Sequence, residues 1–257
     1  MIAINPTVVQ ALAPSGTLRV AINTGNPVLA RAAADGGPPT GVSVDLARLF
    51  GERLGLPTRL VAFAAAQGVN EALDADGWDV AFMASDPERA VRVAFSAPYV
   101  EIEASYMVRA EAPFRSCADL DRPGLRIATG NRAAYDLHLT RTLRHAAIER
   151  APDQGAALRL FVDGGLDAGA GLRQALDAFA RDRPGMRVLP DRFMAIEQCM
   201  AVPRTCGVEA ATTVEAFVDD LKRSGAPRRL LDCNGQHGSP IPDGTSIPPV
   251  PCGELPT

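Results

Sequence analysis

Short β-rich apolar runs alternate along the chain with stretches whose apolar residues recur every three to four positions, which predicts an α/β architecture with largely parallel sheets. LRVAIN, Leu18 to Asn23, predicts a buried strand. Leu46, Leu49, Phe50 and Leu54 then recur at helical spacing, with Ser43 placed to cap that helix. TRLVAF at Thr58 to Phe63, a helix from Gln67 to Leu73 and the strand WDVAFM beginning at Trp78 complete a β-α-β-α-β framework. After the extended segment Glu101 to Arg109, Pro113 and the stretch Asp119 to Gly124 punctuate the chain. A second series follows: strand LRIAT, helix Ala133 to Arg144, strand AIER, helix Gly155 to Val162, a short run at Asp167, helix Arg173 to Arg181 and strand MRVL. Phe193 to Val202 is extended again. Val214, Phe217, Val218 and Leu221 then form an apolar helical face whose natural place is back on the first lobe.

Two extended crossings, one in each direction, predict two lobes joined by a two-strand hinge, an arrangement suited to closure around a ligand. The expected boundaries are 15–108 plus 197–231 for lobe 1 and 109–196 for lobe 2, with 1–14 as an N-terminal extension. Residues 232–257 hold six Pro and four Gly without apolar periodicity, the composition of a disordered tail. At 257 residues, 47% apolar and 22% charged, the chain is long enough for two modest lobes and is ordinary globular material. A formal charge of -4 and the lack of any Lys/Arg block argue against nucleic acid as a partner. No apolar run reaches the roughly 18 residues needed to span a bilayer. MIAINPTVVQALAP makes a poor secretory signal, so either the chain stays in the cytoplasm or its leader is missing. The five cysteines (Cys117, Cys199, Cys206, Cys233, Cys252) have no zinc or thioredoxin-type spacing and read first as idle thiols, a Cys233–Cys252 disulfide staying open. His138, His145 and His237 have no metal spacing, and no Walker loop, G-x-G-x-x-G, G-x-S-x-G or H-E-x-x-H motif occurs, so no cofactor or metal is expected.

The segment with the most specific signal is Trp78 to Tyr99, WDVAFMASDPERAVRVAFSAPY. It resembles the polar amino-acid receptors of bacterial ABC transporters, family 3 of the solute-binding proteins, where such a block ends a strand and turn with an arginine that grips the ligand carboxylate. GVSVDLARLFGERLG (Gly41 to Gly55), SCADLDRPGLRIATG (Ser116 to Gly130) and the GGLDA run (Gly164 to Ala168) extend the resemblance over about Ser15 to Leu231. It implies a two-lobed periplasmic-binding-protein fold of type II, a periplasmic monomer, a small carboxylate solute and an ABC permease as partner. On the first lobe it places ligand contacts at Asn26, Met83, Ala84, Ser85, Asp86 and Arg89. On the second it places them at Ala133, Ala134, Tyr135, Leu172 and Arg173. An arginine suits the anchor role because its planar fork donates two parallel hydrogen bonds to one carboxylate. The bland alternative is a surface ion pair of Arg89 with Glu88 or another acid.

The chain departs from the family pattern in three places. The loop after the first strand reads Asn26-Pro27-Val28-Leu29, without the usual aromatic wall. The family's G-[ST]-[TS] turn reads Arg132-Ala133-Ala134, where backbone N–H groups at a helix N-terminus still favour an anion; Asn131 is a candidate cap for that helix. After GGLDA, an ungapped count puts Leu172 where the family has the aspartate that binds the ligand ammonium. An ammonium enclosed without a counter-charge costs several kcal/mol, so another acid substitutes or the ligand has no ammonium. Asp86 is one substitute, although an Asp before Pro reads first as a turn former. Arg173 is a candidate for a second acidic group, or an exposed helix arginine. Two other functions use the same fold. A cyclohexadienyl-dehydratase-like enzyme would need Glu103, Asp136 or Glu197 as general acid, and a leaderless cytosolic sensor would bind carboxylates without transport.

Overall fold

A computed structural model of the chain describes residues 5–236 and 239–242. It forms two compact units: Met1–Ala64, Gly68–Glu101 and Glu197–Thr257 make the first, and Ala65–Gln67 with Ile102–Ile196 the second. The boundary in the first extended segment therefore falls after Glu101 rather than after residue 108.

In the first unit the sheet order is β2 (Thr58–Phe63), β1 (Leu18–Asn23), β3 (Val80–Ala84) and β10 (Met194–Pro203), with β4 (Val93–Phe95) also on β10. β1 runs parallel to β2 and β3, and β10 is antiparallel to β3 and β4. Helices α2 (Val42–Leu54), α3 (Ala66–Asp74) and α8 (Val208–Ser224) follow the predicted periodicity. The Phe50 and Phe217 rings, 4.8 Å apart, join α2 to α8, a contact worth about 0.5–1.5 kcal/mol beyond its buried area.

β3 starts at Val80, two residues later than expected, because Trp78 and Asp79 have other partners. The Trp78 indole N–H donates to the Val69 carbonyl at 2.9 Å, and its ring packs with Ala21, Val69 and Ala81. Asp79, only 3% exposed, accepts the Arg19 backbone N–H at 2.7 Å and its Nε at 3.0 Å. Ser43 does not cap α2. Gly41 does, at φ 129, where an added Cβ would stand 2.4 Å from the Leu29 carbonyl oxygen. Ser43 N–H instead donates to that carbonyl from the first helical turn.

Both chain ends are more ordered than composition suggests. Asn5 caps α1 (Pro6–Leu12), whose Val8 and Leu12 are buried and which packs on α8. Helix α9 (Ala226–Cys233) follows the left-handed Gly225 and packs on α2 and α8. The expected disorder fails for 232–236 and 239–242. Arg228 donates to the Gln236 and Ser239 carbonyls at 2.8 and 2.9 Å, Glu101 N–H donates to the Pro240 carbonyl, and Ser239 is 2% exposed. Hydrogen bonds to main-chain carbonyls supply here the order that apolar periodicity does not. Cys117, Cys199 and Cys206 are free, while Cys233 is disulfide-bonded and so is no idle thiol. Cys252, His237 and the remainder of the expected tail lie outside the described residues.

The second unit has the sheet order β5 (Val100–Arg109), β8 (Ala168–Leu172), β6 (Arg126–Gly130) and β7 (Ala147–Ala151), with β9 (Met186–Val188) also on β5. β6 is parallel to β7 and β8, and β5 is antiparallel to β8 and β9. Phe161 and Leu158 of α6 (Gln154–Asp163) and Leu176 of α7 (Arg173–Arg181) fill its core. No helix among the described residues is long and apolar enough to cross a membrane.

Asp79 has a measurable role in this frame. Asp79→Ala removes the acceptor of the Arg19 backbone N–H and leaves the guanidinium on Asp76 alone, so urea denaturation is expected to show a loss of about 1–3 kcal/mol.

Candidate functional site

In the first unit β1 and β3 pair in parallel with Ala21 opposite Ala81, so the loops that leave both strands emerge at one edge of the sheet. That carboxyl edge is where open α/β sheets hold ligands. After β1, the Asn26 carbonyl receives the N–H groups of Leu29 and Ala30 at 3.0 Å each, and its side-chain oxygen accepts Val28 N–H at 3.3 Å. Gly25 is needed beside it, since a Cβ there would meet the Ala64 carbonyl oxygen at 2.3 Å.

After β3 the chain turns at Asp86, whose carboxylate caps α4 (Pro87–Ala90) by accepting Glu88 N–H at 2.9 Å. Capping is therefore a role Asp86 fills, as its place before Pro87 suggests. The single helical turn carries Arg89 back toward β3, where its Nη1 donates to the Ala84 carbonyl at 2.9 Å. Arg89 is 8% exposed, which sets it apart from an ordinary surface cation. Met83, Ala84, Ser85, Asp86 and Arg89 are thus gathered in one strand-turn-helix, on the same edge as Asn26. Ser85 links this turn to β10: its N–H donates to the Glu197 carbonyl at 2.9 Å, and its hydroxyl to the Glu197 carboxylate at 3.3 Å. Burial and the neighbouring Glu197 push the Cys199 thiol up to about 12.

The second unit repeats the arrangement. β6 and β8 are parallel with Ala128 opposite Gly169, so Asn131 and Leu172 leave the sheet at neighbouring strand ends. Helix α5 (Ala134–Thr142) follows β6. Asn131 does not cap it, because its amide donates to Gln67 at 2.8 Å. Ala133 stands at the N-cap, and its own N–H is spent on the Gly130 carbonyl at 3.2 Å. The donors that open the helix without intrahelical acceptors are those of Ala134, Tyr135 and Asp136. Burial pushes the Tyr135 hydroxyl pKa well above its usual value, and a Cβ at Gly130 would stand 2.8 Å from that hydroxyl.

Arg132 adopts φ +56, a left-handed conformation that costs a residue with a Cβ roughly 1–2 kcal/mol. It occupies the position where the resemblance has glycine. Asp136, 2% exposed, holds the turn: one carboxylate oxygen accepts Arg132 N–H at 2.9 Å, and Arg150 Nε donates to both oxygens at 2.9 and 3.1 Å. Leu172 N–H donates at 3.3 Å to the side-chain oxygen of Gln154, which fixes the orientation of that amide and leaves its Nε2 buried without a partner. Gln154 lies so close to Gly171 that a Cβ there would meet Nε2 at 2.5 Å. Sequence reasoning missed Gln154, although Asp153-Gln154-Gly155 is a readable helix start.

Arg173 departs from both of its expected roles. Its Nε donates to Glu103 at 2.6 Å, and its Nη atoms donate to the carbonyls of Leu189 and Asp191 at 3.0 and 2.8 Å. Of the three acids considered for catalysis, Glu103 pairs with Arg173 and Arg192 and Asp136 with Arg150, while Glu197 meets only the Ser85 hydroxyl among the described hydrogen bonds. His138 stacks on Phe193 at 6.0 Å between ring centroids, and among the described residues no group of three or more His, Cys, Asp or Glu is placed to hold a metal ion.

Asp136→Ala is expected to cost about 1–3 kcal/mol in urea denaturation, since it removes the acceptor of both Arg132 N–H and Arg150 Nε. Adding Arg132→Gly should recover about 1 kcal/mol, because glycine adopts positive φ without the Cβ penalty.

Comparison with known proteins adds the following. A family model described as bacterial extracellular solute-binding proteins, family 3, matches residues 18–232. No curated protein sequence matches the chain. Among solved structures, a mutant of ArgBP from T. maritima is 22% identical with a TM-score of 0.74, covering 88% of this chain and 98% of its own. The cysteine-binding protein from Campylobacter jejuni is 18% identical with a TM-score of 0.74, covering 88% and 92%. An ancestral amino acid-binding protein, a precursor of cyclohexadienyl dehydratase, is 21% identical with a TM-score of 0.73, covering 88% and 97%. At these identities the likeness shows the fold, that of the type II periplasmic binding proteins.

Proposed function

The chain belongs to the bacterial extracellular solute-binding proteins, family 3, and from that premise we propose that it captures a small carboxylate-bearing solute on Arg89 and delivers it to an ABC-transporter permease. The observation that carries the reading is the burial of Arg89 at the carboxyl edge of β3. A guanidinium stays charged at any physiological pH, and enclosing one is costly unless anionic or carbonyl acceptors meet it. A ligand carboxylate bonded by the fork is such an acceptor. Membership of the family and the likeness to ArgBP and to a cysteine-binding protein support an amino acid or a related organic acid as the class. Backbone donors of Ala134 and Tyr135 suit the same kind of anion.

The protein works outside the cytoplasm on this reading, as the family description says of its members. The disulfide at Cys233 supports it, because disulfides persist in oxidising compartments. Binding without turnover is the role proposed. A second reading, catalysis, is raised by the dehydratase precursor among the structural relatives. Against it, Glu103 and Asp136 are both engaged by arginines, which leaves neither as a ready general acid.

A thermal-shift screen of the twenty L-amino acids and their deaminated counterparts tests the reading. An acid at a hundredfold excess over its dissociation constant should add about 2.7 kcal/mol of stability. Arg89→Ala should weaken that acid by about 2–5 kcal/mol, roughly thirtyfold to several thousandfold. Turnover of prephenate or arogenate in a steady-state assay would overturn the non-catalytic reading.

A further inference from the structure

We propose that Glu197 on β10 receives the ammonium of an α-amino acid ligand held by Arg89, both residues belonging to the first unit. The proposal rests on the reading of Arg89 as carboxylate anchor and deepens it.

Family resemblance puts the ammonium-binding aspartate at Leu172, and the structure leaves no substitute among the neighbouring acids considered. Leu172 is 5% exposed and its backbone N–H is a donor spent on Gln154, so that strand end offers neither charge nor acceptor. Asp136 is clamped between Arg132 N–H and Arg150, and Asp153 accepts Ala156 N–H at 2.7 Å as the cap of α6. Glu103 is held by Arg173 and Arg192. Asp86 is buried and caps α4.

Glu197 differs from all of these. It is exposed, and no ion pair with a described arginine, lysine or histidine occupies its charge. Its hydrogen bonds also place it beside the proposed anchor. Antiparallel pairing sets Gln198 opposite Ala84, the residue whose carbonyl receives Arg89 Nη1, and Ser85 N–H donates to the Glu197 carbonyl. The Ser85 hydroxyl then donates to the Glu197 carboxylate at 3.3 Å, fixing one oxygen and leaving the other able to accept. A carboxylate one residue pair from a buried guanidinium, on the same sheet edge, matches the opposite charges of an amino acid's two α-substituents.

Glu197→Gln keeps the side chain's size and an acceptor for Ser85 while removing the charge, and the exposed position lets the variant fold, which its melting temperature verifies. Calorimetric titration compares each L-amino acid that binds the wild type with its deaminated acid, for example L-alanine with propionate and L-glutamate with glutarate. In the wild type the amino acid should bind more tightly than its partner. Glu197→Gln should shrink that ratio by roughly 10- to 100-fold, the range for a hydrogen bond to a charged group. An unchanged ratio, or a wild type that prefers the deaminated acids, overturns the proposal while leaving Arg89 as anchor. If neither set binds, the carboxylate-receptor reading fails and takes this proposal with it.

Discussion

Parallel pairing of β1 with β3, and of β6 with β8, decides where the chemistry of each unit can sit. When neighbouring strands run the same way, their following loops and helices emerge at one edge, and the side chains of those loops are brought together without any contact between them in sequence. Asn26 and Arg89 are 63 positions apart and leave adjacent strands of one sheet. Ala133 and Leu172 do the same in the second unit. The antiparallel strands then add what the parallel ones lack: β10 brings Glu197 against Ser85, and β5 brings Glu103 against Arg173.

The acids at these edges differ in how their charge is met. Asp79, Asp136 and Glu103 each face an arginine, and Asp86 and Asp153 each cap a helix. Such acids have their charge answered within the fold, and removing one takes an acceptor from each of its donors. Arg89 is buried at the end of β3 and donates to the Ala84 carbonyl, and Glu197 is an exposed acid whose carboxylate accepts the Ser85 hydroxyl. The left-handed Arg132 shows the same economy from the other side. A residue with a Cβ takes a glycine's conformation, and the buried Asp136 carboxylate holds it there through its N–H.

Regular elements were legible where apolar periodicity or alternation was strong. Leu18 to Asn23, Thr58 to Phe63 and Arg173 to Arg181 have the predicted bounds. What periodicity could not show were elements ordered by capping and by hydrogen bonds to main-chain carbonyls, such as α1, α9 and the segment tied down by Arg228. Arg89 stands out in the sequence because a long motif surrounds it, and the fold buries it. Arg173 misled, since nothing near it in sequence announces Glu103 or the carbonyls of Leu189 and Asp191. Asn131 misled for the same reason, its partner Gln67 being remote in the chain. Gln154 and the Ser85–Glu197 contact needed the strand pairing before they had any meaning.

The central claim is that the Arg89 fork holds the ligand's carboxylate. Its most direct test is calorimetric titration of the acid with the largest thermal shift into the wild type and Arg89→Lys. Lysine keeps the positive charge but cannot make two parallel hydrogen bonds to one carboxylate, so a loss of roughly tenfold or more in affinity is predicted. Equal affinity in the two proteins would contradict the claim.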